Sequence, residues 1–180
     1  RKPIPLVCTS HGGDLFALKA RVFQRLKRWV MDNSAAITVV SRAMKKTVVD
    51  MGVAADKVRV IPMGVDLKRR FIPDPNIPRK ASQLLFVGRL VEVKGLMVLL
   101  EAMPQLLSEQ PYIRLLVAGA GPLEAQLKKQ VARLNLSDKV EFLDMVSQEK
   151  LPDLYREATM AIFPFVITKS GVQEGFGLVV

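Results

Sequence analysis

The sequence predicts an α/β protein built from two parallel-sheet units. Three observations carry this reading. Short β-branched runs alternate with longer amphipathic stretches along the whole chain. Residues 67–81, with Pro73, Pro75, Pro78 and many cations, divide the series in two. The composition, 49% hydrophobic and 24% charged, is that of a chain that buries a core, which excludes a disordered or collagen-like polymer.

In the first series, Pro5–Ser10 reads as a buried strand. Leu15 to about Met31 reads as one helix, because Leu15, Leu18, Val22, Leu26 and Trp29 fall near one stripe. Ala36–Val40 is a strand. Ser41 can cap a helix from Arg42 to Met51, and Gly52 suits its end. Val58–Ile61 is a strand that runs into Pro62-Met63-Gly64-Val65-Asp66. In the second series, Leu84–Val87, Ile113–Ala118, Val140–Leu143 and Met160–Phe163 read as strands. Gly95–Glu109, despite Pro104, then Leu123–Leu134 and Leu151–Ala158 read as helices. Strands joined through helices pair in parallel, with helices on both faces. The expected organisation is a first domain over residues 1–66, a linker over 67–81 and a second domain over 82–180. Both are Rossmann-like and face one another. Ligands of such sheets sit at the C-terminal ends of strands, so the loops after strands are where chemistry is sought.

Composition narrows the function. The single cysteine, Cys8, cannot form an intrachain disulfide, which excludes a disulfide-stapled module and points to a reducing cytoplasm. No apolar run reaches membrane-spanning length. The first residue is Arg1 and the last residues are apolar, so a piece of a larger protein is expected. Residues 1–80 carry 17 Lys/Arg against 6 Asp/Glu, whereas residues 81–180 carry 10 against 11. The first half therefore suits an anionic partner: nucleic acid, a membrane surface or a phosphorylated substrate. Arg21, Arg25 and Arg28 share one helix face, with Lys19 and Lys27 flanking. From charge alone a solvated helix face explains them better. No nucleic-acid-binding signature accompanies the patch, so nucleic acid is disfavoured.

Four loops could carry chemistry. Gly88 to Gly95 follows a strand and opens a helix, and Arg89 and Lys94 beside exposed helix N–H groups suit a diphosphate. Two solvated surface cations would have the same spacing. Ala118-Gly119-Ala120-Gly121-Pro122 lets the backbone turn tightly and approach a ligand, or simply turn. It lacks the dinucleotide G-x-G-x-x-G fingerprint, which disfavours a dehydrogenase. Gln173 to Leu178 sets Glu174 in a glycine-flanked turn that could hold sugar hydroxyls and phosphate. Thr9 to Asp14 holds His11, the only histidine, beside two glycines. No Cys or second His stands near it, which argues against a zinc site, and no G-x-S-x-G elbow supports a triad.

The set of these segments, in this order and at these intervals, resembles the retaining GT-B glycosyltransferases of family 4. The resemblance rests on Ile61 to Asp66, Leu85 to Leu90 with Lys94-Gly95, Val117 to Leu123, Leu151-Pro152 with Leu154, Tyr155 and Ala158, and Glu174 to Leu178. It implies transfer of a hexose from a nucleotide-diphosphate sugar to a glycolipid, polysaccharide or small-molecule acceptor, with retention and without metal or other cofactor. By position, Arg89 and Lys94 would stabilise the leaving diphosphate. Glu174 would hold donor-sugar hydroxyls, and Gly175, Phe176, Gly177 and Leu178 would give backbone contacts. His11 would lie near the donor sugar, with Gly12 and Asp14 shaping its loop. Gly88, Gly119 and Gly121 would border the nucleotide, and Met145 and Val146 its base.

Three features depart from the family pattern. The family's second glutamate would fall beyond Val180, its N-terminal glycine-rich loop and much of its acceptor-binding surface would lie before Arg1, and Asp144 stands where the family usually has glycine. Residues 1–66 would then be the end of the acceptor domain and residues 82–180 the first half of the nucleotide-sugar donor domain, both incomplete. The segment alone is expected to be inactive and poorly soluble. Members that act on lipid-linked acceptors sit on the cytoplasmic membrane face, which gives Arg21, Arg25 and Arg28 a candidate role. The competing readings are a GT-B nucleotide-sugar epimerase and a non-catalytic nucleotide-binding remnant.

Overall fold

The computed structural model describes residues 4–16 and 20–174. The chain forms two compact units. One runs up to Gly64 and includes the segment from Ile167, and the other is Val65–Val166.

The first unit contains a parallel sheet of β1 (Val7–Ser10), β2 (Ala36–Val39) and β3 (Val58–Val60), in that order. Its core gathers Leu15, Met31, Ile37, Val39, Met44, Val48 and Val58. Helix α3 (Arg42–Asp50) starts as the sequence predicts: the Ser41 hydroxyl accepts from the Met44 N–H at 3.3 Å.

Two sequence expectations fail here. Strand β1 is not buried along its length: Val7 is 55% exposed and Thr9 is exposed, and within the strand only Ser10 is fully buried, because β1 is an edge strand of the sheet among the described residues. Leu15 to Met31 is not a single helix. A short α1 (Gly13–Phe16) precedes α2 (Arg21–Asp32), and Ala20 between them is extended, with ψ 143°. Leu18 lies outside the described residues. The extended residue resets the helical phase, so Leu15 no longer shares a face with the apolar residues of α2. Leu15 is buried, while Val22, Leu26 and Trp29 are 73%, 55% and 63% exposed. Helix α2 instead turns Met31 and half-buried Gln24 and Lys27 inward. The Lys27 ammonium donates to the Leu15 carbonyl at 3.0 Å and ties the two pieces together.

The second unit holds β4 (Gln83–Val87), β5 (Arg114–Ala118), β6 (Val140–Phe142) and β7 (Met160–Ala161), all parallel, in the order β6-β5-β4-β7. Its helices are α4 (Leu96–Glu109), α5 (Glu124–Arg133) and α6 (Leu151–Glu157). Every residue of β4 is buried, as the central strand of a covered sheet requires. Phe86, Leu100, Met103, Leu115 and Leu127 pack on one face, and Leu85, Val87, Leu151 and Ala158 on the other. The chain steps from β4 to β5 to β6, then crosses back to place β7 on the far side of β4. The strand order reverses between β4 and β7, which is where open α/β sheets leave a ligand crevice.

The proline-rich segment is bound down on this unit rather than free. The Arg156 guanidinium donates to the carbonyls of Arg70 (3.0 Å) and Ile72 (2.9 Å), and the Lys80 N–H donates to the Glu157 carbonyl at 2.8 Å. Phe71 meets the ring of Tyr155 edge-on at 5.8 Å. Burial pushes the Tyr155 phenol up to about 12.

Candidate functional site

The loops after β4 and β7 meet at the switch point. Beyond β4, Arg89 is exposed, and residues Glu92–Lys94 make a single 3-10 turn. Gly95 then takes φ 70° and caps α4. Lys94 is half-buried, with its ammonium 4.9 Å from the centre of the Phe165 ring. The Val166 N–H donates to the Val93 carbonyl at 3.0 Å. A Cβ on Gly95 would collide with the Pro164 carbonyl oxygen. Lys94 thus directly precedes the cap of a 14-residue helix whose first N–H groups attract anions, and exposed Arg89 lies earlier in the same loop.

The glycines after β5 serve a close approach of two loops. Gly88 N–H donates to the Ala118 carbonyl, and Leu90 N–H to the Ala120 carbonyl, each at 3.0 Å. The Leu123 N–H returns to the Leu90 carbonyl at 3.1 Å. A Cβ on Gly119 (φ 145°) would strike the Gly88 carbonyl, and one on Gly121 would press on the Leu90 backbone. The loop that carries Arg89 is therefore held by backbone from the end of β5.

The loop after β6 joins the same edge. The Gly119 N–H donates to the Asp144 carbonyl at 2.8 Å. Asp144 has φ 54°, a left-handed conformation that favours glycine. The departure from the family's glycine thus has a physical reading: the backbone keeps the glycine geometry with an aspartate in place. Asp144→Gly should raise stability by about 1 kcal/mol, measured by urea denaturation. Beyond it, Met145 is 83% exposed and Val146 half-buried. They border an open groove of about 650 Å3 that is also lined by Ser147, Lys150, Asp153 and Glu157.

The His11 loop lies in the first unit, at the end of β1. The Asp14 carboxylate accepts from the N–H groups of His11 (3.2 Å) and Gly12 (3.1 Å). Burial pushes the Asp14 pKa up, but hydrogen bonding outweighs it and holds the carboxyl below its usual range. The fully buried Ser10 hydroxyl beside that carboxylate contributes to the lowering together with the backbone N–H groups. The His11 Nδ1 is 3.3 Å from the Met63 sulfur.

Of the residues singled out from the sequence, Arg89, Lys94, Gly88, Gly119 and Gly121 come together at the ends of β4 and β5, with Met145 and Val146 after β6. Glu174 is half-buried, and Gly175, Phe176, Gly177 and Leu178 lie outside the described residues. Arg21 and Arg25 are exposed. Arg28 pairs with Asp32 (3.2 Å) and donates to the Met51 carbonyl (2.8 Å). Sequence reasoning missed Phe165 and Met63. Both lie just beyond strands, where the rule of reading post-strand loops first could have found them.

Family models and known proteins match the chain. Residues 68–180 match the model of glycosyl transferases group 1, and residues 1–69 match that of glycosyltransferase family 4. The chain is 30% identical over 174 residues to the uncharacterised glycosyltransferase YqgM of Bacillus subtilis, covering 91% of this chain and 46% of that protein. It is 32% identical over 126 residues to the putative colanic acid biosynthesis glycosyltransferase WcaL of Escherichia coli, covering 69% and 31%. Sucrose-phosphate synthase from Thermosynechococcus elongatus superimposes with a TM-score of 0.75 at 25% identity, over 96% of this chain and 46% of that one. Anabaena HepE, solved with UDP and glucose, shares the fold with a TM-score of 0.72 at 20% identity, over 87% and 45%. The chain spans less than half the length of these relatives. With both family models matched in sequence order across the chain, this α/β protein belongs to the glycosyl transferases group 1 family and carries part of a GT-B fold.

Proposed function

We propose that the protein of which this chain forms part transfers a hexose from a nucleotide-diphosphate sugar to a sugar or lipid-linked acceptor, with retention of configuration. The observation that carries the reading is the switch-point turn, where Lys94 directly precedes the cap of α4 and Arg89 lies earlier in the same loop. On this reading the two cations take up the charge that develops on the departing diphosphate, the task a divalent metal performs elsewhere. Lys94, half-buried on Phe165, acts in a lower dielectric than exposed Arg89 and carries the larger share. The groove beside Met145 and Val146 takes the base. His11 and Glu174 hold hydroxyls of the donor sugar. An epimerase is not favoured, because relatives such as YqgM and WcaL bear glycosyltransferase names. WcaL and the amylovoran enzyme AmsK of Erwinia amylovora support an envelope polysaccharide as the product.

The test is the full-length protein with a panel of nucleotide-diphosphate hexoses, the product anomer being read by NMR. A product with the donor's configuration supports the proposal, an inverted product removes retention, and an epimerised donor removes transfer.

The same reading places the protein in the cytoplasm, on the membrane face. No helix among the described residues is long and apolar enough to cross a membrane. What supports a peripheral contact is α2, whose exposed Val22, Phe23, Leu26 and Trp29 adjoin Arg21 and Arg25. Reversing Arg21, Arg25 and Arg28 to glutamate in the full-length protein should lower sedimentation with phosphatidylglycerol vesicles at least tenfold. Unchanged binding would make the patch ordinary surface.

A further inference from the structure

His11 and Met63 are 52 residues apart in sequence, one just after β1 and the other shortly after β3. Strand β2 lies between these two in the sheet, so the Nδ1 to Sδ contact of 3.3 Å spans the C-terminal edge of the sheet. A thioether sulfur has lone pairs and no hydrogen, so it can only accept. A bare Nδ1 at that distance would set lone pair against lone pair. An N–H there makes the contact a hydrogen bond.

We propose that Met63 is a positioning residue that fixes neutral His11 as the Nδ1–H tautomer and leaves Nε2 as the bare nitrogen, an acceptor. The free side chain in water favours the opposite, Nε2–H form, so the contact has a preference to overcome. The histidine is held at two points. Asp14 fixes its backbone through the His11 and Gly12 N–H groups, and Met63 fixes the ring. If His11 meets the donor sugar as proposed above, the sugar must present a hydroxyl donor to Nε2. That consequence rests on the transferase reading, whereas the tautomer does not.

The His11 ring signals are assigned in the full-length protein by their loss in His11→Asn. In the 15N-labelled full-length protein, at a pH about two units above the ordinary imidazole value, a long-range proton–nitrogen correlation spectrum distinguishes the two ring nitrogens. The expected result is a protonated Nδ1 and a bare Nε2. Met63→Leu keeps the volume and removes the acceptor, and should invert the population to mostly Nε2–H. A wild-type spectrum of the Nε2–H form overturns the proposal, and so does the same tautomer in both proteins. Should the variant not fold, the wild-type spectrum still decides, together with a cross-relaxation signal between the Met63 methyl and the His11 ring. No sugar is present in this experiment, so failure of the transferase reading would leave its outcome untouched.

Discussion

Lys94→Ala in the full-length protein should lower turnover with its nucleotide-diphosphate donor by about 10²–10³-fold, the usual consequence of removing one preorganised stabiliser of developing charge. The side chain is held in place by the Phe165 ring, so little ordering is left for the moment of reaction. Arg89→Ala should cost about tenfold, because that guanidinium is exposed and screened by water. Both variants should keep the wild-type circular dichroism spectrum. Activity within threefold of wild type in both would remove these cations from the diphosphate.

Gly95→Ala should destabilise the protein by about 3 kcal/mol, measured by urea denaturation. The sign is opposite to the usual effect of the exchange, which stabilises by restricting the unfolded chain. Here φ is 70°, and the added methyl has no room against the Pro164 carbonyl oxygen. The β4 and β7 loops would have to part, which would also displace Lys94. A neutral or stabilised variant would show that the two loops do not pack as described.

The alternation of strands and helices was legible because each strand is short, apolar and bounded by turn residues. Strand β4 and the Ser41 cap of α3 are the clearest cases. The break before α2 was not legible. The apolar stripe from Val22 to Trp29 has ideal helical spacing, but periodicity reports a face and not what covers it. The candidate site was legible in parts. Arg89, Lys94, Gly119 and Gly121 stand out as residue types after strands, yet their spacing alone does not separate a ligand loop from a turn. The strand order β6-β5-β4-β7 makes that distinction, because it puts the reversal beside these residues. Phe165 and Met63 lie in post-strand loops, but their pairing with Lys94 and His11 is not legible, since a ring under a lysine and a sulfur beside an imidazole depend on distant segments meeting.

The account rests on the switch-point turn as the diphosphate site. The most direct measurement is a titration of the 15N-labelled full-length protein with UDP, followed residue by residue in the amide spectrum. The expected result is saturable shifts centred on Gly88 to Val98 and Gly119 to Gly121, abolished by Lys94→Ala. Saturable binding that leaves these amides unmoved, or that survives Lys94→Ala unchanged, would contradict it.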